Sequence, residues 1–303
     1  MGVSANAARF LLHAKAQGVS FAKTATIGRM RMHLTPSMLL RILNDFGDPA
    51  GREDVTRLMT EQDSYSEPFF ARLGATEVCS FDASDYESAT AIHDFNLPIP
   101  DKFKNRFTAV YNGGSLEHVF NFPVAIQNCM EMLEVGGHFI THTMANNFMG
   151  HGFYQFSPEL FYRVFSPENG FRMHRAVMCE SRIGKPRWYE AADPQQVGER
   201  VELINGRQTY LLVHAERVAD VPIFSKPPQQ TDYSALWRQG VAPTYDSNGL
   251  RARIHKWAKS HNELFLRYSP GFLYDLALST IVRGVPRRGF RRRQFVPLRN
   301  LRG

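Results

Sequence analysis

The chain has 303 residues, 43% hydrophobic and 21% charged. That is an ordinary globular composition, and the length suits one large α/β domain with appendages or two small domains. No apolar run approaches the ~20 residues of a membrane-spanning helix, and the first residues lack the apolar stretch and cleavage site of a secretory signal, so a cytoplasmic chain is expected. The formal net charge is +7, but residues 281–303 hold eight arginines and no acid, so the basicity belongs to a tail and the body is close to neutral.

In chain order, residues 4–22 read as a helix, followed by a β-prone run, AKTATIGRM, that ends at Gly28-Arg29. Thr35-Pro36 opens a second helix, with Thr as N-cap and Pro at the first helical position. Residues 47–64 are polar and irregular or partly helical, and Ser66-Glu67-Pro68 opens a helix that Gly74 stops. The run TEVCSFDAS is a buried strand ending in Asp82, and a short strand over Ala89–His93 ends at Asp94. FTAVYN is a strand that ends in the glycine loop Asn112-Gly113-Gly114. A helix from Phe122 to Leu133 gives way at Gly136-Gly137 to the strand HFITHTMANN, and Ser157 caps a helix over PELFYRVF. FRMHRAVMCE and QTYLLVHAERV are two further strands without a convincing crossover helix between them, so the last strand is expected to be antiparallel. After Pro222 the pattern weakens. The expected division is a domain over 1–220 and an extension over 221–303, with helical segments near 250–282 and the arginine tail as a solvated end dispensable for the fold. Such a tail suits an anionic surface.

Strands alternating with helices imply a mostly parallel, doubly wound sheet, whose ligand belongs beyond the carboxyl ends of the strands. Those ends carry Gly28-Arg29, Asp82, Asp94 and Asn112-Gly113-Gly114. An acid after the second strand can take both hydroxyls of a ribose. Asp94, one strand later, can accept from an adenine amino group, and glycines let a ligand approach backbone. Glu117 and His118 follow the glycine loop at the cleft rim. Imidazole is the natural general base near neutral pH; a carboxylate beside it also suits a divalent cation, although the site is assigned no metal. The segment MANNFMGHGFYQF should overhang the cleft and offers His151 and Tyr154 to a polar organic acceptor. The three cysteines, Cys79, Cys129 and Cys179, have no paired spacing and form neither a disulfide framework nor a zinc site; Cys79 and Cys129 lie in apolar runs as core residues.

The stretch Glu77–Ile140 resembles the core of class I S-adenosylmethionine (SAM)-dependent methyltransferases. EVCSFDAS resembles the family's ribose-binding motif, ATAIHDFN its adenine motif, and FTAVYNGGSLEHVF its fourth strand and following turn. The resemblance implies a Rossmann-like, seven-stranded sheet with helices on both faces and its last strand antiparallel. It implies SAM as cofactor, held by Gly28, Arg29, Asp82, Ser84, Asp94, Phe95, Asn112, Gly113 and Gly114. Catalysis would fall to His118, His151, Glu117 and Tyr154, with methyl transfer to a hydroxyl of a small molecule or glycan. The sequence departs from the family at the first motif: no acidic, glycine-rich loop precedes Asp82. The first strand is placed at the Gly28 run, with Val55–Met59 as the rival. The alternative function is a non-catalytic methyltransferase-like binding domain. The neutral body and the lack of a Pro-Pro-Tyr-type motif argue against a nucleic-acid substrate.

Overall fold

A computed structural model describes residues 2–182, 186–198, 200–231 and 289–298. The helical segments expected near 250–282 and most of the arginine tail lie outside the described residues. Helix α1 (Ala5–Ala16) begins where the Ser4 hydroxyl accepts from the Ala7 amide at 3.2 Å, and it buries Phe10, Leu11 and Leu12. It is shorter than expected because Gly18 turns the chain with φ 92°. Helix α2 (Pro36–Asp45) has Thr35 accepting from the Met38 amide at 3.3 Å, so Thr-Pro does satisfy an otherwise orphaned amide. The rival first-strand position is helical, within α3 (Arg52–Thr60). Helix α4 (Glu67–Leu73) ends at Gly74, whose φ of 108° is left-handed.

The main sheet is built from β2 (Lys23–Ile27), β4 (Glu77–Asp82), β5 (Ala91–Ile92), β6 (Phe107–Asn112), β7 (Leu133–Asn146), β8 (Phe171–Glu180), β9 (Arg187–Ala191), β10 (Thr209–Arg217) and β11 (Phe295–Leu298). Their order across the sheet is β11-β9-β8-β10-β7-β6-β2-β4-β5. From β5 to β7 all neighbours are parallel, whereas β10 runs antiparallel between β7 and β8. The seven strands from β8 to β5 therefore form a doubly wound, Rossmann-like sheet with its last strand antiparallel, as the resemblance implied. Among the described residues the sheet has nine strands rather than seven, because β9 and β11 extend it as antiparallel neighbours beyond β8. Strand β5 is only two residues long; it is an edge, and Ile92 is exposed.

Helices cover both faces. Helices α5 (Phe122–Met132) and α6 (Pro158–Val164) pack Ile126, Met130, Phe161 and Val164 with Phe81, Val110 and Phe139 of the strands. Helices α1 to α4 cover the other face, against Tyr111, Ile140 and Leu212. Helix α5 stops at Met132 because Leu133 is already paired with Phe107 in the sheet. All three cysteines are buried and free.

The basic tail corrects the expectation of a solvated, dispensable end. Phe290 stacks on Tyr189 with ring centroids 3.7 Å apart, and Phe295 and Gln294 are buried. Arg292 and Arg293 are exposed, while Phe295–Leu298 form a strand. Phe295→Ala should therefore lower the free energy of urea unfolding by roughly 3 kcal/mol, the scale for emptying a buried phenylalanine site. Deleting residues 287–303 should lower the thermal midpoint by several degrees; an unchanged midpoint would mean that β11 does not dock.

Candidate functional site

The chain leaves β2 outward through β4 to β5, then returns to β6 and moves outward to β7 on the other side. The strand order thus reverses between β2 and β6, where an open α/β sheet forms its ligand crevice. Gly28 turns the chain here with φ 86°, and its amide donates to the Phe81 carbonyl at 2.6 Å. The chain does not run straight into a helix. It forms β3 (Arg31–His33), which pairs in parallel with β1 (Gly2–Ser4) as a small second sheet. The Gly2 amide donates to the Gly113 carbonyl at 2.9 Å, so β1 lies directly over the end of β6.

That placement explains Gly113. A Cβ there would stand 2.8 Å from the Gly2 carbonyl oxygen and 2.9 Å from Met30 Sδ. The glycine admits the protein's own backbone. Arg29 is also engaged by protein: Nε pairs with Glu67 Oε1 at 2.7 Å, Nη1 donates to the Glu87 carbonyl at 2.8 Å, and the guanidinium lies 3.9 Å over the Tyr65 ring. Asn112 is buried as a cap: Nδ2 donates to Thr141 Oγ1 at 2.8 Å, and Oδ1 accepts from the Ser115 and Leu116 amides at 3.0 and 3.1 Å.

The other side of the crevice is more open to a ligand. Asp82 is half-buried at the end of β4; among the described residues its Oδ1 accepts only a long 3.4 Å bond from the amide of the exposed Ser84. The Asp82 carbonyl accepts from the His93 amide at 2.8 Å, which sets the ends of β4 and β5 side by side. Asp94 is exposed, and its Oδ1 accepts from the Asn96 amide and side chain at 2.9 and 2.7 Å. Those hydrogen bonds hold its carboxyl below the ordinary range. Phe95 is a core residue packed edge-on to Phe81, so only its backbone can meet a ligand.

Glu117 does not stand at the rim. It is fully buried at the ends of β6 and β7, where Oε2 accepts from Thr143 Oγ1 at 3.0 Å and Oε1 has no hydrogen-bond partner among the described residues. Burial raises its pKa from the ordinary 4.5 to about 6. Gly114, at φ 89°, lies against it, with a Cβ position 3.4 Å from Oε1. The Glu117 carbonyl accepts from the Phe153 and Tyr154 amides at 2.8 and 3.2 Å and so moors the segment after β7.

That segment brings the two expected histidines together. His118 and His151 are both exposed, with ring centroids 5.2 Å apart. Partial burial, followed by the neighbouring His151, lowers the pKa of His118. It is therefore an uncharged proton acceptor at neutral pH. Gly152 has to be small, since its Cβ would meet the Glu117 carbonyl oxygen at 2.8 Å and His118 Nδ1 at 3.2 Å. The Tyr154 hydroxyl donates to the Phe120 carbonyl at 2.6 Å and its ring packs on Phe156, so Tyr154 shapes the wall. Phe148 and Phe156 are buried, while Phe120 and Phe153 form an exposed edge-to-face pair at 5.8 Å beside the histidines.

Sequence reasoning missed the Tyr65–Glu67–Glu87 group that holds Arg29, because its members converge from separate loops. It also missed His142, whose buried Nε2 has no partner among the described residues, whose ring stacks on Tyr210 at 4.6 Å, and whose pKa burial lowers to about 4.

No protein-family model matches the chain, and no curated protein matches it. Solved structures similar in fold include a branched-chain polyamine synthase C9 mutein from Thermus thermophilus in complex with N4-aminopropylspermidine and 5′-methylthioadenosine. It has 16% identity over 72% of this chain and 57% of that one, with a TM-score of 0.36. A putative sarcosine dimethylglycine methyltransferase from Galdieria sulphuraria has 11% identity over 70% of this chain and 85% of that one, with a TM-score of 0.38. A geranyl diphosphate methyltransferase in complex with SAM has 16% identity, coverage of 71% and 85%, and a TM-score of 0.35. The chain spans little more than half the length of the polyamine synthase. These likenesses concern the fold alone.

The pKa of Glu117 has a measurable consequence. Its folded value lies above its unfolded one, so the folded state favours the protonated carboxyl. That preference is harmless below pH 4.5 and becomes a penalty as pH rises through about 6. At pH 8 the penalty is roughly 2 kcal/mol. Glu117→Gln should therefore be more stable than the parent by about that amount in urea unfolding at pH 8, with the difference vanishing near pH 4.5. A pH-independent difference would show that the carboxyl is not perturbed.

Proposed function

We propose that the chain binds SAM at the β2–β6 crevice and transfers its methyl group to a hydroxyl of a small-molecule or glycan-like acceptor. The observation that carries this reading is the pair of carboxylates, Asp82 and Asp94, at adjoining strand ends beside the point where the strand order reverses. Asp82 has free acceptor capacity for the two ribose hydroxyls, and Asp94 stays ionised to accept from the adenine amino group. The residues thus fit the adenosyl half of SAM. The methionine half finds no glycine-rich cradle. What the chain offers instead is Glu117 Oε1, a buried oxygen without a donor behind Gly114, which suits an ammonium group.

SAM, when bound, supplies an electrophilic methyl group; the chain supplies alignment and a proton acceptor. His118, kept neutral, takes the proton of the acceptor hydroxyl at a ring nitrogen. His151 faces it across 5.2 Å and helps to orient the acceptor. The exposed Phe120–Phe153 pair gives the acceptor an apolar face to lie on, as sugars and ring alcohols require.

A second reading has its own support. Gly2 and Met30 occupy the approach to Gly113, and Arg29 is held by Glu67. A crevice filled in this way suits a domain that binds a nucleoside ligand without turning it over. Calorimetric titration with SAM, followed by a methyl-transfer assay with hydroxyl acceptors, separates the readings. Heat with transfer supports the first reading; heat without transfer, or neither heat nor transfer, favours the second.

Asp82→Ala should weaken SAM binding by roughly 1–3 kcal/mol, the scale for leaving polar partners unpaired. Unchanged affinity in a folded variant would reject Asp82 as the ribose anchor. His118→Gln should cut kcat at least tenfold while leaving SAM affinity near that of the parent. His151→Ala should raise the acceptor's KM more than it lowers kcat. Equal loss of SAM affinity in both would place these histidines on the cofactor instead.

A further inference from the structure

Three histidines converge on the sheet far from the crevice. His138 of β7, His174 of β8 and His214 of β10 offer ring nitrogens that all lie within 4.8 Å of one another. His214 Nε2 and His138 Nδ1 are 3.0 Å apart, and His174 Nε2 is 2.8 Å from Glu216 Oε2. His138 is level with Ala109, near the amino end of β6, whereas the crevice begins at Asn112. Three residues of strand separate the two levels by about 10 Å.

The sheet produces this convergence through its irregular register. On β10, His214 pairs with Arg175 and the next residue, Ala215, pairs with Met173, so His174 is the extra residue of a β-bulge. In a regular strand His174 would point away from the face that Arg175 uses. The bulge re-aims it, and its ring stacks on His214 with centroids 4.6 Å apart. His214 is buried, His138 is half-buried and His174 is exposed, which leaves one open side.

We propose that His138, His174 and His214 bind one divalent transition-metal ion of the zinc class, with solvent as fourth ligand on the open side and Glu216 positioning His174. Zinc sits about 2.0–2.1 Å from imidazole nitrogen, so tetrahedral ligand atoms stand about 3.3 Å apart. His214 Nε2 and His138 Nδ1 already lie near that spacing at 3.0 Å, and side-chain rotations bring His174, whose ligand atom is within 4.8 Å of both, into place. The hydrogen now between His214 and His138 moves to the far ring nitrogen of the histidine that carries it, so both rings ligate as neutral imidazoles. Three imidazoles suit zinc, copper or nickel better than magnesium or calcium.

The electrostatics are consistent with such an ion. Burial, followed by the neighbouring histidines, lowers the pKa of His214 to about 2, and burial also lowers that of His138. Both are therefore unprotonated at neutral pH, the state a metal requires. Two arginines border the cluster, but each is already paired: Arg172 with Glu216 at 2.6 Å and Arg175 with Glu190 at 2.7 Å. His13 Nε2 of α1 accepts from Arg175 Nη1 at 3.0 Å. The ion would join β7, β8 and β10 at the end of the sheet opposite the crevice, as a structural staple that takes no part in the reaction.

The test uses the full chain stripped with a chelator. Cobalt(II) titration should develop the visible absorption of a tetrahedral site, saturating at one ion per chain, and zinc should bleach it. Zinc should also raise the thermal midpoint. His174→Ala, at an exposed position, should fold with the metal-free midpoint of the parent and lose at least tenfold in cobalt affinity, with no zinc-dependent rise. Glu216→Gln should weaken binding and keep one site. Absence of a saturable tetrahedral spectrum in the parent would overturn the proposal, as would parental cobalt affinity in His174→Ala.

Discussion

The geometry at the head of the sheet depends on one buried amide, that of Asn112. Its nitrogen ties β6 to Thr141 of β7, and its oxygen gathers two successive amides, those of Ser115 and Leu116. The Ser115 hydroxyl in turn donates to the Ile27 carbonyl at the end of β2. A single side chain and its neighbour thereby pin three adjacent strand ends to one turn. Buried polar groups must be satisfied, and satisfying these leaves the turn one conformation. Gly113 is then level with Gly2, Glu117 is driven beneath Gly114, and His118 is left at the surface beside His151.

The crevice that results is lopsided. On the β4–β5 side the carboxylates of Asp82 and Asp94 have little to hold them except their own turns. On the β2 side the protein has filled the space with itself: β1 over Gly113, β3 in the path of a glycine loop, and Arg29 locked between Glu67, Glu87 and Tyr65. The same departure from a glycine-rich loop explains both β3 and the ion pair, because a chain that turns through one glycine must find partners for the residues that follow it. The charge left over is Glu117, which the fold buries with one oxygen unpartnered among the described residues, at a cost in stability when it is ionised.

The opposite end of the sheet shows what an antiparallel last strand makes possible. Because β10 runs back between β7 and β8, residues remote in sequence meet there, and one bulge brings His174 beside His138 and His214. The additional strands β9 and β11 extend that side with Trp188 and Phe295 buried against it. The sheet thus carries polar clusters at both ends, joined by an apolar middle of Val110, Phe139, Val213 and Ala215.

Local physics made much of this legible in the sequence. Apolar runs ending in Asp82 and Asn112, the Thr35-Pro36 start of α2 and the left-handed stop at Gly74 depend on neighbours a few residues away, so strand ends and helix starts could be read directly. The carboxylates and the His118–His151 pair were legible as candidates for the same reason: each follows a strand end. Contacts across the chain were not. Nothing near Gly113 announces that Gly2 will cover it, nothing in Glu-His-Val says that the acid turns inward and the imidazole outward, and nothing in an arginine-rich tail marks Phe295 as a core residue. A strand such as β11 acquires its meaning from the partner it finds, Trp188 to Ala191, more than a hundred positions away. The three histidines belong to the same class, since a β-bulge is a property of register between strands and only the tertiary structure sets that register.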